Sequence, residues 1–151
     1  EIMPSLVGSE MCIRDSYETV TGHVPENDDV QILDVRGLSF KRYLDIACLT
    51  KGKVAVVTDN DGNVQKNCIE KYIGYSDMDN VKICYEPDER KRTFEIVLYC
   101  ENKGLCDKLF SGDAQQYMLN NKTDAAYRLL CQNDDISVPS YIKEAFEWIS
   151  E

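Results

Sequence analysis

The chain has 151 residues, 43% hydrophobic and 29% charged, with 27 Asp and Glu against 17 Lys and Arg and a formal net charge of -10. That is one domain's worth of chain, enough to bury a core, and the mixture excludes a disordered tail. The acidic balance excludes a basic whole-surface nucleic-acid footprint, and no apolar run approaches the roughly 18 residues of a membrane span.

An acidic chain can still be a nuclease, because divalent ions offset carboxylate charge where a phosphate lands. The cysteines are Cys12, Cys48, Cys68, Cys84, Cys100, Cys106 and Cys131. They are odd in number and form no CxxC, so neither a zinc site nor a disulfide framework is indicated. Reduced, mostly buried thiols in a cytoplasmic protein are expected. The N-terminus lacks the basic-then-apolar build of a signal peptide.

EIMPSLVGSEMCIRDS, residues 1–16, shows no sustained hydrophobic period. With a G before it and a C after it, the transposase mosaic-end adapter AGATGTGTATAAGAGACAG encodes EMCIRDS in one frame. Residues 1–16 are therefore expected to be library read-through belonging to no domain, with native sequence starting near Tyr17. YETVTGHVPENDD reads as a connecting loop. VQILDV is a short β-branched strand, Arg36-Gly37 a turn, and Ser39 a cap for LSFKRYLDIACLT. In that helix Phe40, Tyr43, Leu44 and Ala47 share a face.

KVAVVTD is a continuous apolar run, as in a parallel strand covered on both faces. NVQKNCIEKYIGYS predicts a helix with Val64, Cys68, Ile69 and Tyr72 inward. VKICYEP predicts a third strand stopped by proline. FEIVLYCEN, GLCDKLFS, DAQQYMLNNKTDAAYRLLCQ and PSYIKEAFEWISE predict helices, Pro139 suiting a first turn. Alternating strands and helices imply right-handed βαβ units around a parallel sheet, with ligands beyond the strands' carboxyl ends.

Asp59 and Asp61 fall at that edge, as does Asp34. One residue apart, they point the same way in extended chain. Two carboxylates that close call for a metal, a bound proton or a basic partner. Three chemistries are open: Mg²⁺ between carboxylates and phosphate, a calcium loop, and phosphoacceptor chemistry on the first aspartate. Counted from Asp59, Asn63 and Glu70 occupy EF-hand positions, but Val64 stands where that loop needs glycine. A solvated turn, with Asp59 capping the next helix and Gly62 easing the bend, is as well supported by the spacing as a metal site.

An ordered set of segments goes further: RGLSFKRYLDIA, KVAVVTDNDGN, TFE, NNKTDAAYRLL and VPSYIKEAFEWI. Together they resemble the C-terminal TOPRIM nuclease domain of OLD-family ATP-dependent endonucleases, from about Tyr17 to Glu151. The resemblance implies an α/β fold with a Rossmann-like parallel sheet over 17–92 and a mainly helical part over 93–151. It implies that Asp59 and Asp61 bind divalent ions, Mg or Mn, at a two-metal site. Glu95 is implied as a further metal or water ligand, and Lys122 as the charge that neutralises the scissile phosphate. The partners implied are DNA, the ATPase domain of the same full-length chain and further copies in a homo-oligomer. ATP enters only through that ATPase domain, which this sequence lacks.

The family's glutamate motif, VEGxSE-like, is absent, and the adapter-like stretch stands in its place. Neither Glu10 nor Glu18 takes the role. One central strand, between VQILDV and KVAVV, is therefore expected to be missing. The chain is expected to be a marginally stable fragment with impaired phosphodiester hydrolysis. The alternatives are a non-catalytic calcium-binding or interaction module, or a topoisomerase- or primase-type TOPRIM enzyme.

Among the other residues, Arg90, Lys91 and Arg92 form a short basic run flanked by Asp88 and Glu89, better suited to a solvated loop than to phosphate binding. Lys41 and Arg42 read as solvent face. His23 has no assigned role, and Trp148, Phe146 and Ile149 read as core or interdomain contact.

Overall fold

The computed structural model describes residues 2–5, 10–35, 40–130, 132 and 136–150, with the backbone alone for 2–5, 10–12 and 130. The expected turn at Arg36-Gly37 and cap at Ser39 lie outside them. Four parallel strands form one sheet: β1 Ile2–Ser5, β2 Gln31–Asp34, β3 Val54–Val57 and β4 Val81–Cys84, in the order β2-β1-β3-β4. Register aligns Ser5 with Asp34 and with Val57, and Val57 with Cys84. All four strands therefore end at one rim.

The α/β architecture with a helical C-terminal part follows the expectation, with two corrections at the front. The central position is not vacant, because Ile2–Ser5 pairs with both β2 and β3. The polar stretch after it is not a loop throughout. Glu10–Thr21 is helix α1, followed by a 3₁₀ turn at Pro25–Asp28. Long-range packing overrides the weak local pattern. Ile13 and Tyr17, one helical turn apart, are fully buried. The Tyr17 ring meets Phe146 edge-on at 5.1 Å, and its hydroxyl donates to Asp28 Oδ2 at 2.8 Å. His23, which had no assigned role, sits 3.4 Å from the same Asp28 oxygen.

β3 is buried on both faces, which explains its unbroken VAVV. Val54 and Val56 face a cluster with Phe40, Leu44 and Ala47 of α2 (Phe40–Thr50) and with Tyr72. Ala55 and Val57 face the larger cluster, which draws on α1 and the C-terminal helices. Those helices are α3 Phe94–Glu101, α4 Lys103–Leu109, α5 Ala114–Asn120, α6 Lys122–Leu130 and α7 Ser140–Ser150. Helix α7 lies across β3 and β4, anchored at its margin by Lys82 with Glu144 at 2.9 Å. Lys53 stacks over Trp148 at 5.3 Å, so that tryptophan is an intradomain contact.

The segment after β3 is not an α-helix. It is a π-helical turn, Gln65–Ile69, running into a 3₁₀ segment, Glu70–Tyr75. Asn67 donates its side-chain amide to the Asn60 carbonyl at 2.9 Å, tying the turn to the preceding loop. The changed period keeps Cys68 and Tyr72 inside but leaves Ile69 42% exposed, against the expectation of an inward Ile69. Of the described thiols Cys68, Cys84 and Cys106 are buried, Cys48 is half-buried and Cys100 exposed, and these five are free. Burial pushes the Cys68 and Cys84 thiols up to about 12, so they behave as small apolar side chains.

Candidate metal centre

The rim site begins with Asn60, between the two aspartates and only 1% exposed. Its amide donates to the carbonyls of Glu86, Asp88 and Lys91 at 2.8, 3.1 and 3.2 Å. Its side-chain oxygen accepts the Gly62 N–H at 2.8 Å, an Asx turn. The loop after β3 is thereby locked onto the loop after β4. Gly62 adopts φ +79°, and an added Cβ there would meet Arg92 Cδ at 3.4 Å.

Asp61 adopts the left-handed conformation at φ 48°, its N–H donating to the Arg92 carbonyl at 3.0 Å. The backbone is not extended at this point, so the two aspartates do not share a side. Asp59 turns inward and Asp61 is exposed at the mouth. Asp59 Oδ1 accepts the Phe94 N–H at 2.9 Å. It thus supplies the cap for α3, whose own Thr93 makes no side-chain cap bond. The aspartate does cap a helix, but a distant one rather than the next in sequence.

That cap brings in Glu95, in the first turn of α3 and 6% exposed. Lys122 Nζ lies 3.0 Å from Glu95 Oε1. Lys122 reaches it because the expected single helix over DAQQYMLNNKTDAAYRLLCQ breaks at Asn121, which caps α5 with φ -130° and ψ 50°. Lys122 is consequently the first residue of α6.

Burial pushes the Asp59 carboxyl up to about 7, aided by the charges of Glu95 and Asp61 and opposed by the Phe94 N–H and Lys122. Its neighbours therefore come from the loop after β3, from α3 and from α6, three segments far apart in sequence. Asp59, Glu95 and Lys122 are assembled together, with Asp61 beside them at the surface. Asp34 ends β2 at the same rim, two strands away from β3.

Among the described residues, no three His, Cys, Asp or Glu side chains converge closely enough to hold an ion. Two carboxylates suffice for Mg²⁺ or Mn²⁺, which take one or two and fill the remaining positions with water and phosphate oxygens. Glu95 Oε2 is buried without a hydrogen-bond partner, a hard oxygen with a free coordination position. The donors present fit such an ion. They do not fit an EF-hand calcium loop. Asn63 Oδ1 caps the Lys66 N–H at 2.9 Å, and Glu70 Oε1 accepts from Gln65 at 3.2 Å, so neither turns toward Asp59.

Two residues escaped the sequence reading. Asn60 was legible as the middle of an Asx turn before glycine, although its three carbonyl partners were not. Tyr141 of α7 is buried, and its phenol is held well above its usual value by burial first and then by Asp59, Glu86, Glu95 and Glu101. Its place against the acidic rim has no local sequence signal. The basic run divides: Arg90 pairs with Asp88 at 2.8 Å, Lys91 approaches Glu86 at 3.7 Å, and Arg92 flanks Gly62. Arg90 and Lys91 thus belong to the loop's own ion pairs.

Comparison with known proteins gives one match. The family described as overcoming lysogenization defect protein-like, TOPRIM domain, matches residues 9–61. No curated protein and no solved structure matches the chain. The matched segment runs from the start of α1 through β2, α2 and β3 to Asp61 and includes both aspartates of the rim.

Proposed function

We propose, from the match of residues 9–61 to the TOPRIM domain of the OLD-like family, that the chain is the nuclease portion of a metal-dependent DNA endonuclease. Asp59 and Glu95 would hold a divalent ion, Mg²⁺ or Mn²⁺, with Asp61 at the mouth of the site. When bound, such an ion polarises a phosphodiester and lowers the pKa of a water held beside it. Asp59 must be ionised to serve as a ligand, and Phe94 N–H orients the oxygen that it caps. Lys122, half-exposed on a flexible stem, can neutralise charge on an entering phosphate. DNA is the substrate this reading implies.

The observation that carries the proposal is the meeting of Asp59, Glu95 and Lys122 at the sheet's carboxyl rim, with one buried carboxylate oxygen unpartnered. The family's glutamate motif is not found in residues 1–16, and IMPS occupies the central strand. Strong hydrolysis is therefore not expected of this chain. We further propose that residues 1–16 are adapter read-through standing where the native strand belongs, although the family match opens at residue 9.

Calorimetry with Mg²⁺, Mn²⁺ and Ca²⁺ on the whole chain and on Asp59→Ala tests the metal reading, with plasmid nicking measured alongside. Mg²⁺ and Mn²⁺ binding that disappears in the variant, with nicking near background, is the expected outcome. Preference for Ca²⁺, or no binding of any divalent ion, would sink it. Vigorous Mg²⁺-dependent nicking would instead overturn the impairment assigned to the missing glutamate.

A further inference from the structure

We propose that Lys122 is a built-in counterion that occupies Glu95 in the ion-free protein, so that its release and the loading of a divalent cation are a single coupled step. The inference rests on the reading of Asp59 and Glu95 as cation ligands. A carboxylate as buried as Glu95 is costly unless a charge compensates it. Among the described residues, Lys122 is the cation in ion-pair contact with it, at 3.0 Å.

The contact is incomplete in an informative way. The ammonium engages Oε1 and leaves the buried Oε2 without a partner. An arginine fork would hold both oxygens. A lysine neutralises the charge and leaves one oxygen free for a ligand. Lys122 is also poorly placed for its own helix, because a cation at a helix N-terminus opposes the macrodipole. Its side chain is 48% exposed, against 7% for Glu95, so the head can swing into water while the carboxylate stays in place.

A divalent ion between Asp59 and Glu95 and an ammonium 3.0 Å from Glu95 repel each other strongly in a partly buried site. An ion taken up through the free Oε2 would therefore expel Lys122 from Oε1, and the released head would then be free at the mouth of the site. By linkage, the lysine weakens cation binding by the same factor by which the cation weakens the lysine contact.

The test has two arms on the whole chain at pH 8 in a phosphate-free buffer. Calorimetry with Mn²⁺ compares the unaltered protein with Lys122→Met, for which binding about tenfold tighter is expected. In the unaltered protein, acylation of Lys122 by an amine-reactive reagent is followed by peptide mass spectrometry with and without Mg²⁺. Its rate is expected to rise several-fold with Mg²⁺, while Lys53, held against Trp148, keeps its rate. Equal or weaker Mn²⁺ binding by the variant, or unchanged labelling of Lys122 in Mg²⁺-bound protein, overturns the coupling and leaves the metal reading standing. If neither protein binds Mn²⁺, both fall together.

Discussion

At the scale of single residues, Asp59 is a helix cap by observation and a cation ligand by proposal, and the two roles make different demands on one side chain. As a helix cap it needs only an oxygen; as a cation ligand it needs a charge. Its carboxyl is raised from the ordinary value of 3.8 to about 7. The folded state therefore holds a proton that the unfolded chain gives up, and stability present below about pH 4 is lost progressively as pH rises through 7. A tenfold difference in proton affinity between the two states is worth ~1.4 kcal/mol, so the loss is bounded at about 4 kcal/mol. Asp59→Asn keeps an oxygen for Phe94 N–H without the charge. We expect it to be more stable than the unaltered chain at pH 8 without metal, and nearly equal to it at pH 4. Urea unfolding at the two pH values checks this, and a variant less stable at pH 8 would refute the role of buried charge. The same proton competes with metal, so cation affinity should climb with pH up to about 7 and then level off.

At the scale of elements, the loop after β3 is built by side-chain-to-backbone bonds rather than by a regular ladder. Asn60, Gly62 and Asp61 turn the chain within three residues, through one Asx turn and two positive φ angles. Gly62→Ala must adopt φ +79° with a Cβ against Arg92. The expected cost is about 1 kcal/mol or more. It should lower the denaturation midpoint without changing the slope, and it should weaken Mn²⁺ binding because Asp59 and Asp61 flank the turn. An unchanged midpoint would mean that the loop relaxes freely. The π-helical turn that follows belongs to the same construction, since Asn67 is pinned to Asn60. A regular α-helix would carry Asn67 out of that bond.

At the scale of the whole molecule, β1 sits between β2 and β3 at the centre of the sheet. Without residues 1–16, β2 and β3 would lose their shared neighbour, and the main core would lose Ile13. A chain beginning at Tyr17 is expected to show no cooperative thermal unfolding. Ile13→Ala in the full chain should cost about 2–4 kcal/mol, measured by urea titration. Cooperative unfolding of the shortened chain at an unchanged midpoint would mean that β1 and α1 add nothing to stability. Backbone pairing lets β1 hold the position between β2 and β3, but short of one ladder donor, because Pro4 has no N–H.

Local sequence was enough for the parallel α/β architecture, the doubly buried VAVV strand, the inward face of α2 and the helical C-terminal part. Each of these rests on hydrophobic period or on an unbroken apolar run, which short windows of chain contain. The ordered segments also carried the family resemblance and singled out Asp59, Asp61, Glu95 and Lys122. The folded chain was needed to see that IMPS fills the central strand position, that α1 exists, and that Asp59 turns inward while Asp61 faces out. It alone set Lys122 on Glu95, by breaking α5 from α6 at Asn121. These outcomes depend on bonds between segments tens of residues apart, such as Asn60 with the carbonyls of Glu86, Asp88 and Lys91, or Tyr17 with Phe146. No local window of sequence contains both partners of such a bond, so the fold has to form before the site exists.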